Sequence, residues 1–247
     1  MAESHHDLKA KAQALHDCLI EVYGNPEWRS HLDPISEVVS TIISQNTSDV
    51  NRDRAYDRLL DRFETWEAVR DAPAAAIADA IRPAGLSQQK APRIKAALQF
   101  ITREQGELSL DFLKDMPVDA AKAWLTQIKG IGPKTAAIIL LFALDRPAFP
   151  VDTHIHRVTQ RLGLIGPKVS AEKAHDLLEA LLPAETYYPF HLNVIHHGRE
   201  ICHARNPRCE ICPLQDMCDY YRRSLASHDR KEEFIRDDVE WGLYGKE

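Results

Sequence analysis

Four cysteines fall within 17 residues, as Cys202-x6-Cys209-x2-Cys212-x5-Cys218. No other stretch limits the fold so tightly, because thiols spaced so closely must converge on one point. The N-terminal segment MAESHHDLKA has neither the apolar core of a signal peptide nor the Arg-rich character of a transit peptide. A cytoplasmic location is therefore expected, and in that setting clustered cysteines read as metal ligands before disulfides. Zinc sites commonly use two CxxC knuckles separated by a longer excursion. Here a single CxxC lies between wider gaps, a pattern that suits four-cysteine ligation of a [4Fe–4S] cluster better, with zinc as the alternative. Cys18 stands apart from the other four. It shares a helical face with Leu8, Leu15, Leu19 and Val22, which assigns it to the core.

The rest of the pattern is helical. Ile35, Val38, Val39, Ile42 and Ile43 form an apolar stripe that ends at the polar run 44–48. Ser48-Asp49 caps the next helix, with Val50, Ala55, Leu59 and Phe63 facing inward. Pro73 and Gly85 bracket a short Ala-rich helix. Further helices are expected from about Ala91-Pro92 to Glu104, from Pro117 through Ala123, Leu125 and Ile128, and from Lys134 to Leu144. Asp152 caps Thr153–Leu162, Ser170 caps 171–182, and a last helix over about 189–202 leads into the cysteine loop. No strand alternation is visible, so the fold class is all-α. The longest apolar run, Ala136–Leu144, is far short of the roughly 20 residues of a membrane helix. The chain carries no oligomerisation signal, so a monomer away from membranes is expected.

The 247 residues have a net charge of −6, which argues weakly against a polyanionic partner. The charge is uneven, however. Residues 80–103 contain Arg82, Lys90, Arg93, Lys95 and Arg103 and no acid, and residues 120–144 contain Lys122, Lys129 and Lys134 and no acid. A phosphate-binding face needs local positive potential only. Solvated helix faces explain the same run.

Between two helices lies Lys129-Gly130-Ile131-Gly132-Pro133-Lys134. Its glycines permit close backbone approach, and the N–H groups that open the next helix suit a phosphate. A plain αα turn also favours glycine. Lys134 sits in the first turn of an apolar helix. The dipole there, with partial burial, would lower its pKa toward that of an amine nucleophile. A phosphate contact by point charge is the alternative. Asp152 reads first as an N-cap. Its second oxygen remains available to stabilise a cationic sugar or to take a proton from an amine.

Taken together, IKGIGPKTA (128–136), PVDTHIHRV (150–158), HHGREIC (196–202), the four cysteines, SQNTSD (44–49) and AGLSQQKA (84–91) resemble the endonuclease III family of helix-hairpin-helix DNA glycosylases. The resemblance spans roughly residues 8–222. It implies two helical domains flanking a DNA-binding cleft. One is a six-helix domain over 26–146, with its helix-hairpin-helix at about 119–144. The other is an iron–sulfur domain built from 1–25 and 147–222, and a charged tail, 223–247, is expected to be partly disordered. It also implies a nucleoid-associated base excision repair enzyme acting on double-stranded DNA with damaged bases or abasic sites. Such an enzyme removes oxidised pyrimidines such as thymine glycol through a lysine Schiff base and β-elimination. Other substrates of the superfamily, or a non-catalytic DNA-binding iron–sulfur module, are the alternatives.

The resemblance also carries roles to matching positions. Lys134 and Asp152 take the catalytic positions, and Cys202, Cys209, Cys212 and Cys218 those of the cluster ligands. Leu86 takes the wedge position, and Gln45 and Asn46 the loop that enters the opened duplex. Gly130, Gly132 and Thr135 belong to the hairpin contact, Asp49 and His154 to the base pocket. Apart from the resemblance, Arg205 and Arg208 on the loop between the first two cysteines could present positive charge to a phosphate, with solvated loop arginines as the alternative. Asn46 replaces the family's usual glutamine, Ser87 an aromatic residue, and Pro133 an arginine.

Overall fold

The computed structural model describes residues 5–30 and 32–225. Nearly all of the charged tail thus lies outside the described residues. Among the described residues there are helices and no strands. In chain order the α-helices are α1 (His5–Tyr23), α2 (Pro34–Ser44), α3 (Asp49–Arg62), α4 (Trp66–Asp71), α5 (Ala74–Ala80), α6 (Ser87–Gln105), α7 (Val118–Leu125), α8 (Pro133–Ile138), α9 (Thr153–Leu162), α10 (Ala171–Leu181) and α11 (Tyr187–Glu200). None is long and apolar enough to cross a membrane. The chain divides into two compact units, one from Glu27 to Pro150, the other joining Met1–Pro26 to the segment from Val151 onward.

In the first unit, α2 is the spine. Asp33 caps it by accepting from the Ile35 and Ser36 N–H groups at 3.1 and 3.0 Å. Its stripe of Ile35, Val38, Val39, Ile42 and Ile43 is buried throughout. Burial of side chains this size stabilises by about 1.5–3 kcal/mol each. Helices α3 and α6 pack against α2. Ser48 caps α3, and Ala55 and Leu59 face the core as expected. Val50 does not. It lies in the first turn and is 77 % exposed.

Helix α6 departs from expectation at its start. It begins at Ser87, not near Pro92, and carries Pro92 inside. The proline deprives only the Gln88 carbonyl of its helical donor, and Gln88 is exposed, so water can serve it. The helix over 134–144 is also altered. After Ile138 it widens into a π-turn over Ile139–Ala143, which buries Ile139, Leu140 and Leu141.

In the second unit, α1 packs on α10 and α11, and α9 on α11. Ala12, Leu15, His16 and Leu19 form the buried face of α1. Val22 is exposed and Cys18 only half-buried, so the stripe runs one residue row away from the one expected. Gly198 lets α11 approach α9 closely. A Cβ there would meet His154 Nδ1 at 3.0 Å and Arg157 Nη2 at 3.2 Å.

Candidate active site and cysteine centre

Helices α7 and α8 are joined by the turn 126–132, pinned by the buried side chains of Ile128 and Ile131. Gly130 has φ +100°, and a Cβ on it would meet Arg93 Cδ at 3.3 Å. Gly132 is extended and caps α8 without any side-chain hydrogen bond. At these two glycines the turn presents backbone, beside the exposed Thr126, Gln127 and Lys129. Pro133 and Lys134 follow as the first two residues of α8, and Lys134 is exposed. The partial burial expected to perturb this lysine is absent. Thr135 is buried, so only its backbone is placed to meet a phosphate.

Two further loops of the same unit carry expected site residues. Gln45 donates through Nε2 to the Gly130 carbonyl at 2.9 Å and accepts from Arg93 Nη1 at 3.3 Å. It is tied to the hairpin, while its neighbour Asn46 is exposed in a left-handed conformation, φ 53°. Leu86 also has positive φ, 49°, and is 51 % exposed. Positive φ is uncommon for a leucine, and the exposed side chain contributes little packing. Asp49, expected in a base pocket, is exposed and pairs with Arg52 at 3.2 Å.

Lys90 corrects the reading of residues 80–103 as a basic face. It is buried, and its Nζ donates to the Ile43 and Ala84 carbonyls at 2.8 and 2.9 Å. Lys95 donates to the Ala72 carbonyl at 2.6 Å. Both satisfy helix ends within the unit. The charge count alone gives no sign of this, although the LSQQKA segment places Lys90 on the same face of α6 as Ile94 and Ala97.

In the other unit, Asp152 caps α9 by accepting from the Ile155 N–H at 2.8 Å through Oδ1. His154, in the first turn of α9, shares a 3.1 Å hydrogen bond between Nδ1 and Arg157 Nη2. The four cysteines line a single cavity together with Val158, Leu162, His197 and Ile201. Among the described residues no three His, Cys, Asp or Glu side chains are close enough to hold a single metal ion. Four thiols lining one cavity match the four-cysteine ligand set of an iron–sulfur cluster.

The surroundings fit thiolates. Arg161 Nη1 lies 3.3 Å from Cys202 Sγ and donates to the His203 carbonyl at 2.7 Å. His197 Nε2 lies 3.6 Å from Cys212 Sγ, and its Nδ1 lies 2.9 Å from the Tyr23 hydroxyl. A thiolate only accepts, so Nε2 carries the proton and the Tyr23 O–H donates to Nδ1. Burial holds this imidazole neutral, with its pKa down to about 4, and pushes Tyr23 up to about 12. Burial, then the neighbouring thiols, raise Cys212 to about 11. Cationic metal removes that penalty. The sequence does not reveal Arg161, His197 and Tyr23 as part of this centre, since their relation to the cysteines exists only in three dimensions. Arg205 and Arg208 are exposed on the loop between the first two cysteines.

The profile described as "HhH-GPD superfamily base excision DNA repair protein" matches residues 39–184, and that of the "iron-sulfur binding domain of endonuclease III" matches 202–218. Endonuclease III of Thermotoga maritima is 32 % identical over 198 residues, covering 80 % of this chain and 88 % of its own. Endonuclease III of Sulfolobus acidocaldarius is 34 % identical over 192 residues, covering 77 % and 83 %. A solved structure, a trapped endonuclease III–DNA covalent intermediate with an estranged adenine, superimposes with TM-score 0.73 at 25 % identity, covering 88 % of this chain and 98 % of that one.

Proposed function

The chain belongs to the HhH-GPD superfamily of base excision DNA repair proteins, as an endonuclease III-like glycosylase with a [4Fe–4S] domain, and from this we propose a bifunctional DNA glycosylase and abasic-site lyase. Its substrate is duplex DNA carrying oxidised pyrimidines. The observation that carries this reading is Lys134, exposed in the first turn of α8 directly behind a hairpin whose Gly130 and Gly132 leave the backbone open. A lysine so placed can reach a sugar whose phosphates rest on the hairpin. The covalent intermediate named for the similar endonuclease III structure supports it.

The damaged nucleotide first leaves the stack. Lys134, as the free amine, attacks C1′. The Nζ–C1′ bond forms, the glycosidic bond breaks, and the base departs with the bonding pair and a proton. The anionic Asp152 stabilises positive charge on the sugar and accepts the proton that the lysine sheds. The C1′–O4′ bond then breaks, O4′ receives that proton as a hydroxyl while the departing base takes its own from solvent, and the resulting iminium acidifies C2′, so that loss of the C2′ proton expels the 3′ phosphate. Cys202, Cys209, Cys212 and Cys218 hold the cluster, with Arg161 and His197 donating to their sulfurs. When bound, the cluster supplies a rigid cross-link of the loop, a structural contribution rather than a reactive one.

Borohydride trapping on duplexes with one abasic site or one thymine glycol tests this. A covalent band is expected on both with the wild type and on neither with Lys134→Ala, which should keep duplex binding. No band with the wild type on either duplex would overturn the proposal. A band only on the abasic duplex would remove oxidised pyrimidines as substrates and leave the lyase.

A further inference from the structure

Lys90 is a buried charge that the chemistry above does not use. Among the described residues its ammonium has no carboxylate as a hydrogen-bond partner; it donates to two backbone carbonyls, that of Ile43 in the last turn of α2 and that of Ala84 just before the turn into α6. Burial lowers its pKa, so the charge is held at a cost. Each partner lies close before an exposed residue in a left-handed conformation. Ile43 is three residues before Asn46, and Ala84 is two residues before Leu86. The Ala84 carbonyl also accepts from Thr47 Oγ1 at 2.5 Å, so one oxygen takes both the Lys90 ammonium and the loop that carries Asn46. A neutral, flexible side chain would complete the core at less desolvation cost. What the ammonium adds is a fixed separation between the two carbonyls.

The geometry points to Lys90 as a positioning residue that sets the spacing of two prongs, Asn46 and Leu86, which enter the duplex beside an extruded nucleotide. This rests on the proposed glycosylase reading. Lys90 touches no DNA itself. It acts by keeping both turns in strained conformations that relax once the clamp is gone. Its effect falls on opening of the base pair and not on attraction to the phosphate backbone.

The test is Lys90→Met, close in volume but without the donor. Protein is titrated onto a duplex with 2-aminopurine opposite an abasic-site analogue, and onto an undamaged duplex. The expected result is an unchanged circular dichroism spectrum and undamaged-duplex affinity, with the 2-aminopurine opening signal and single-turnover excision down about tenfold, within the range for coupled residues. Because Lys90 acts through Leu86, the Lys90→Met/Leu86→Ala double variant should be no slower than Leu86→Ala alone. Thr47→Val, which removes the other donor to the Ala84 carbonyl, gives the same phenotype more weakly and serves if Lys90→Met does not fold. Normal opening in a folded Lys90→Met, additive losses in the double variant, or a Thr47→Val indistinguishable from wild type where Lys90→Met fails to fold would each overturn the inference. Absence of any opening by the wild type would instead remove the glycosylase reading on which it rests.

Discussion

Asp152 carries two roles at once, and the residue scale is where they separate. As N-cap it accepts from the Ile155 N–H; as an anion it is the proposed partner of the reacting sugar and amine. Asparagine caps helices about as well as aspartate, whereas alanine costs about 1 kcal/mol. Asp152→Asn should therefore keep the urea midpoint of the wild type and lose strand cleavage, and Asp152→Ala should lose both. Equal cleavage by Asp152→Asn and wild type would confine Asp152 to capping. The capping half of this is legible in the sequence, because Asp before Thr153–Leu162 is a local signal. Lys90 is not legible. Its charge reads as solvent-facing, and the carbonyls it binds belong to other segments of the chain.

Elements are legible wherever apolar spacing and a cap agree. Helix α9 runs over the expected Thr153–Leu162, and α2 buries its entire stripe. The failures have local causes. Pro92 reads as the start of α6, but a proline one and a half turns in needs only an exposed carbonyl to be tolerated. The π-turn leaves no trace in hydrophobic spacing, because residues 139–144 are apolar on every side. The packing of α9 on α11 depends on a glycine whose reason is invisible in one dimension. Gly198→Ala would press a methyl against His154 and Arg157, near 3 Å. Overpacking of this kind costs about 1–3 kcal/mol. The thermal midpoint should fall accordingly, and the Arg157 bonds to the Gly198 and Cys202 carbonyls should loosen. An unchanged midpoint would show that the two helices separate without cost.

For the whole molecule, the net charge of −6 means that affinity for a polyanion must come from a few placed cations. Arg205 and Arg208 are exposed on the loop that the cysteines close. If both meet phosphates, Arg205→Ala/Arg208→Ala should reduce the slope of log K against log salt by about 1.8, at ~0.9 per phosphate. Fluorescence anisotropy between low and moderate salt measures this. An unchanged slope would place the phosphate contacts elsewhere. The division of the chain into two units has a further consequence, in time instead of space. Residues 27–150 are contiguous and hold their own core, so they can fold as they leave the ribosome. Helix α1 is made first and folds among the last. Its partners on α11 lie some 170 residues downstream, a wait of about 10–35 s at ~5–20 residues per second. Throughout that interval its apolar face, Leu15 and Leu19, is open to chaperones. The cysteine loop is made later still, so iron can be loaded only onto a chain whose other unit is already complete.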